Sequence, residues 1–111
     1  MSPPTTTRGL RRWLPRRFVV ADRSMEPTLV DGQGLLAVET KRAKVGQLRC
    51  LEHPRRPGFW LVKRVADVHD DATMTVLSDN RDVTVADSRS FGPVAVGGTY
   101  RVIVRIPRRW M

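Results

Sequence analysis

Apolar residues in this chain come in short runs, four or five long at most, each stopped by glycine, proline or a charged residue. Runs of that length suit β-strands, and no segment sustains the three-and-four spacing of an amphipathic helix. "RFVVA" (17–21) is the first. "LLAVE" (35–39) follows the turn "VDGQG", and "VGQLRCLE" (45–52) comes next. After the Pro-rich turn "HPRRPG" runs "FWLVKRVADV" (59–68), the longest predicted strand. "DD" (70–71) marks a hairpin turn into "TMTVLS" (73–78). A polar loop, "DNRDVTVADSRSFGP" (79–93), leads to the last strand, "TYRVIVRI", with Tyr100, Val102, Val104 and Ile106 on one face. Only the turn around Glu26 to Val30 hints at a helical period. The expectation is an all-β sheet, packed or curled on itself. With 111 residues there is room for one core. The folded domain is expected over 18–107, with basic tails at 1–17 and 108–111.

The same short runs exclude a transmembrane helix, which needs ~20 apolar residues. The basic N-terminus lacks the apolar core of a signal peptide. The chain is therefore expected in the cytoplasm. Its net charge is +9, and arginines crowd both ends: Arg8, Arg11, Arg12, Arg16 and Arg17 at one, Arg101, Arg105, Arg108 and Arg109 at the other. Two readings stay open, solvated tails or a surface for something anionic. In "RGLRRWLPRRF" (8–18), Leu10, Trp13, Leu14 and Phe18 interleave with arginines, which suits peripheral contact with an anionic membrane, although Pro15 interrupts any helix. Aromatic residues make up only 6%, with Trp13, Trp60 and Trp110 scattered, so no specific nucleic-acid partner is expected. Cys50 is the single cysteine, which excludes an intramolecular disulfide. It sits in a strand-like run and is expected to be a small buried hydrophobe.

"DRSMEPTL" (22–29) sets Ser24 in a polar break between apolar runs. A serine is a nucleophile only with a base beside it. His53 borders a Pro-rich turn and His69 a hairpin tip. With Cys50 they make no metal-ligand spacing, and no metal or other cofactor is expected. Lys41 and Lys44 lie in the polar loop "ETKRAKVG". Lys63 differs: strand alternation puts it on one face with Phe59, Leu61 and Val65. Burial disfavours an ammonium and lowers a lysine pKa, and a neutral amine can take a proton from a serine hydroxyl. A lysine whose stem is buried and whose head reaches water is the alternative. Arg64 next door reads as a surface group on the opposite face.

Three segments, "SMEPTL" (24–29), "VKRV" (62–65) and "SDNRDVTVADSRSFGPV" (78–94), occur in this order. Together they resemble the boxes of the signal peptidase I family, the Ser/Lys peptidases related to LexA-type repressors. "VGQLR" (45–49) resembles a further segment of that family. The resemblance implies a small β-rich domain of coiled antiparallel strands with an open catalytic groove. It implies Ser24 as nucleophile and Lys63 as general base, with Met25 shaping the substrate cleft. It implies structural support around the lysine from Asp79, Asn80, Asp87, Ser88 and Arg89. Small soluble members are the best match in length, among them the maturation proteases of nickel-type superoxide dismutase, which remove an N-terminal extension. A precursor polypeptide is thus the implied partner. An anchor upstream of Met1 is the alternative.

Several positions depart from the family pattern. Asp22 stands where many signal peptidases carry a serine that donates to the oxyanion. Either Asp22 points away, or the oxyanion relies on backbone groups such as the Ser24 N–H. Ser78 replaces a glycine, Gly32-Gln33 replaces Gly-Asp, and the interval from Asn80 to Asp87 is one residue longer than usual. Thr84 is the nearest hydroxyl to the position that orients the lysine. The competing expectation is a catalytically weak or inactive relative that acts as a basic binding module.

Overall fold

A computed structural model describes residues 14–82 and 86–107. Seven strands and one short helix follow in order: β1 (Arg16–Val19), β2 (Gly34–Glu39), β3 (Leu48–Glu52), β4 (Trp60–Val68), β5 (Thr73–Leu77), α1 (Ser88–Phe91), β6 (Val94–Ala95) and β7 (Tyr100–Ile106). All pair antiparallel in one sheet, in the order β1-β2-β7-β3-β4-β5-β6. The fold is all-β, as the short apolar runs require. β1 begins at Arg16, ahead of the boundary expected at Phe18. The guanidinium of Arg16 lies over the rings of Phe18, Trp60 and Tyr100, at 4.9, 4.6 and 5.5 Å from their centroids. Three aromatic faces attract that cation and hold the first strand to the sheet. Residues 1–13 and 108–111 of the predicted tails lie outside the described residues, as does Thr84.

The polar loop 79–93 contains an element that periodicity does not reveal. Asp87 caps α1 by accepting the Arg89 N–H at 2.9 Å, and Gly92 ends the helix at φ 78°, where a side chain would be strained. β7 crosses back to lie between β2 and β3. Its expected single apolar face does not survive. Leu36 pairs with Val104 but Ala37 pairs with Val102, so Ile103 is the extra residue of a bulge. A bulge reverses the alternation beyond it. Val104, 42% exposed, is therefore turned to solvent rather than aligned with Tyr100 and Val102.

β3 is buried from Leu48 through Leu51, because side chains of successive residues feed two clusters. Leu48 and Cys50 join Val20, Met25, Leu29, Leu35 and Ala37. Leu51 joins Leu61, Val65, Met74, Val76, Val94 and Val96. Cys50 is buried as expected, and burial pushes its thiol up to about 12. Arg49 is fully buried, and its guanidinium donates to Thr99 Oγ1 (2.9 Å), Thr40 Oγ1 (2.8 Å) and the Thr40 carbonyl (2.7 Å). These bonds replace water around the charge. Burial, reinforced by Arg101, still brings its pKa down to about 10. Arg49 faces Lys63 across the β3–β4 pair, on one side of the sheet. Their charged ends part, one toward Thr40 and Thr99, the other toward Ser24. Among the described residues no helix is long and apolar enough to cross a membrane.

Candidate active site

The loop between β1 and β2 carries Ser24. Its base is closed by Val20 N–H to Gln33 O at 2.9 Å and Gly32 N–H to Val20 O at 2.7 Å. Gly32 takes φ 86° to make that return. One helical turn, Leu29 N–H to Met25 O at 2.9 Å, is the remnant of the expected period near Glu26. Met25 and Leu29 are both fully buried in the first cluster, and they anchor the turn from below. Ser24 is thus held on a short, core-anchored turn rather than at a frayed strand end.

β4 brings Lys63 to the same place. The strand alternates as predicted, with Leu61, Lys63 and Val65 buried on one face. Phe59, which was expected on that stripe, precedes the strand and is 40% exposed. Lys63 Nζ lies 2.8 Å from Ser24 Oγ; Lys63 is 2% exposed and Ser24 5%. The lysine side chain is therefore almost wholly withdrawn from solvent. Burial lowers its pKa from the usual 10.5; Asp22, Asp87 and Asp79 oppose this, and Arg89 reinforces it. His53 and His69 are occupied elsewhere. His53 Nδ1 accepts from the Arg55 N–H at 3.0 Å, and His69 Nε2 bonds Thr75 Oγ1 at 2.8 Å.

The segment Ser78-Asp79-Asn80 grips the serine turn. Asn80 N–H donates to the Ser24 carbonyl at 2.8 Å, and Asn80 Nδ2 to the Arg23 carbonyl at 2.9 Å. Asp79 accepts from Thr28 Oγ1 at 2.6 Å, and its N–H points at Met25 Sδ at 3.4 Å. Arg64 clasps the same carboxylate with Nε and Nη2 at 2.9 and 2.8 Å and holds it below the usual carboxylate range. Arg64 is thus a structural partner and not the plain surface group its alternation suggests. Asp87 is fully buried and accepts from the Ser78 N–H at 2.9 Å and from Arg89 Nη2 at 2.8 Å. Burial raises its pKa, but the bonds from Arg89 and Ser78 outweigh that and leave it lowered. Ser88 Oγ accepts the Val76 N–H at 2.9 Å and ties α1 to β5. Ser78 Oγ is buried without a partner among the described residues.

Asp22 does not point away. Its Oδ1 accepts the Ser24 N–H at 2.9 Å, so the backbone donor expected for an oxyanion carries a carboxylate. Burial raises the Asp22 pKa, but the bonds from Ser24 and the charge of Lys63 outweigh that and leave it lowered. The carboxylate is anionic at neutral pH.

No family model and no curated protein matches this chain.

Two hollows share Ser24 and Lys63. One, of about 150 Å³, is apolar and reaches down to Val20, Leu35, Cys50 and Val62. The other, of about 690 Å³, opens outward past Asp22, Glu26, Arg56 and Phe59. A serine hydroxyl paired with a buried amine is a potential nucleophile and base, and here the pair stands where a small hollow meets a wide cleft. The signal for Ser24 and Lys63 was present in the chain as a polar break and a lysine on an apolar face. Arg64 and Thr28 left no such signal, because their shared partner Asp79 is distant in sequence.

Proposed function

We propose that this protein is a serine endopeptidase with a Ser24/Lys63 dyad, of the signal peptidase I type, which removes an N-terminal extension from a precursor polypeptide. The observation that carries the proposal is the 2.8 Å contact between Lys63 Nζ and Ser24 Oγ, with both side chains buried. With the amine neutral, Ser24 O–H donates to Nζ. The oxygen attacks the scissile carbonyl as its proton passes to Lys63, and a C–O bond forms. The ammonium then protonates the leaving amine as the C–N bond breaks. Water, deprotonated by Lys63, attacks the acyl-enzyme; the C–O bond to Ser24 breaks and the serine regains its proton. These steps use side chains of the chain alone and call for no cofactor. The sequence resemblance supports maturation of nickel-type superoxide dismutase as the task.

The test is cleavage of a dismutase precursor carrying its N-terminal extension, read by mass spectrometry of the new N-termini. Ser24→Ala and Lys63→Met are expected to lose activity by roughly a hundredfold or more. Parental cleavage rates in both variants would remove the dyad from the mechanism.

A further inference from the structure

An acyl transfer develops negative charge on the carbonyl oxygen, beside the attacking serine. The stabilising donors must be free to point there when it forms. The Ser24 N–H adjoins the nucleophile, and here it already donates to Asp22 Oδ1 at 2.9 Å. The same carboxylate favours the protonated form of Lys63, which cannot act as a base. Asp22 thus acts against both halves of the reaction while it stays in this position. It is also able to leave. Asp22 is exposed and lies on the wall of both hollows, whereas Ser24, Met25 and Leu29 hold the turn into the core.

We propose that Asp22 is a built-in cap on the oxyanion position, which a substrate must displace before Ser24 can be acylated. The inference rests on the peptidase reading. It adds a selectivity: an acyl donor too small to fill the 690 Å³ cleft has little binding energy with which to move the carboxylate. A polypeptide lying along the cleft gains contacts elsewhere, and its scissile carbonyl takes over the Ser24 N–H. Small esters are therefore poor substrates of the parent protein and better substrates once the cap is removed. Asp22 is a positioning residue in this scheme, because it never bonds the reacting carbon.

The experiment uses p-nitrophenyl acetate and the full chain. Ser24-dependent p-nitrophenolate release is the rate above that of Ser24→Ala, with the acetyl group located on Ser24 by peptide mass spectrometry. In this step the Ser24 oxygen bonds the acetyl carbon, p-nitrophenolate departs, and the serine proton goes to Lys63. Asp22→Ala frees the N–H and is expected to raise the rate by roughly tenfold or more. Asp22→Asn removes the charge but keeps an oxygen that can accept the N–H, so a smaller rise is expected. If Asp22 served only to shape the turn, the order would reverse, with Asp22→Ala slowest and Asp22→Asn close to the parent. That order, or equal rates in all three, overturns the cap and leaves the peptidase reading standing. Should Asp22→Ala fail to fold, Asp22→Asn decides alone, by exceeding the parent or not. Absence of any Ser24-dependent release, from parent and variants alike, overturns both.

Discussion

Lys63 carries its amine into a buried position beside Ser24, and its charge state follows from that burial. The lowered pKa means that the neutral amine appears at lower pH than in a free lysine. If the neutral form is the base, kcat/KM rises with pH along a limb whose midpoint lies below the usual 10.5. A pH–rate profile checks this, and a midpoint at or above that value would remove the buried amine from the rate. Stability follows the same ionisation. Between the folded-state pKa and 10.5 the unfolded chain binds more protons than the folded one, so the contribution of this group to stability grows as pH rises through that window. Lys63→Met has no proton to lose. It should be more stable than the parent at neutral pH, by on the order of 1 kcal/mol, with the difference closing as the pH becomes alkaline. Urea unfolding of both proteins across that window measures it.

At the scale of elements, the site depends on short segments that clamp each other. Asp87 satisfies the start of α1, the Ser78 N–H and Arg89 together, and it is fully buried. Asp87→Ala leaves the buried Ser78 N–H without its acceptor, and a cost of about 3 kcal/mol is expected in chemical denaturation. Because the folded-state pKa of Asp87 is lowered, its contribution is fully present above the usual 3.8 and is lost as pH falls through the lowered value. The variant should therefore show a weaker acid-induced loss of stability than the parent. Ser78 adjoins Asp79 and Asn80, which hold the Ser24 turn. On the peptidase reading, loosening α1 should consequently slow precursor cleavage as well as weaken the fold.

Across the whole molecule, β7 is the strand that closes the architecture. It pairs with β2 along most of its length and with β3 at Arg49 and Cys50. β3 is bonded on its other side to β4 and buried on both faces. A strand with neighbours on both sides and cores above and below opens last. Native-state hydrogen exchange should therefore find its slowest amides in β3, and faster ones in β1 at the sheet edge. Comparable protection in β1 and β3 would show that the sheet opens as one unit.

Period-two alternation is a property of neighbouring residues, and so it was legible along the chain. It places Lys63 with Leu61 and Val65, while the short apolar runs make the class all-β and bury Cys50 in one of them. Ser24 was legible for the same local reason, as a polar break between apolar runs. The bulge at Ile103, the insertion of β7 between β2 and β3, and the clasp of Arg64 on Asp79 were not. Each depends on which distant segment arrives beside it, and no local period carries that information. The 2.8 Å approach of Lys63 to Ser24 belongs to this second group, since the two lie on different elements that only the folded chain brings together. So does the placement of Asp22, because its local sequence does not fix where its carboxylate points. The closed base of the β1–β2 loop and the buried anchors Met25 and Leu29 set the turn on which its carboxylate meets the Ser24 N–H.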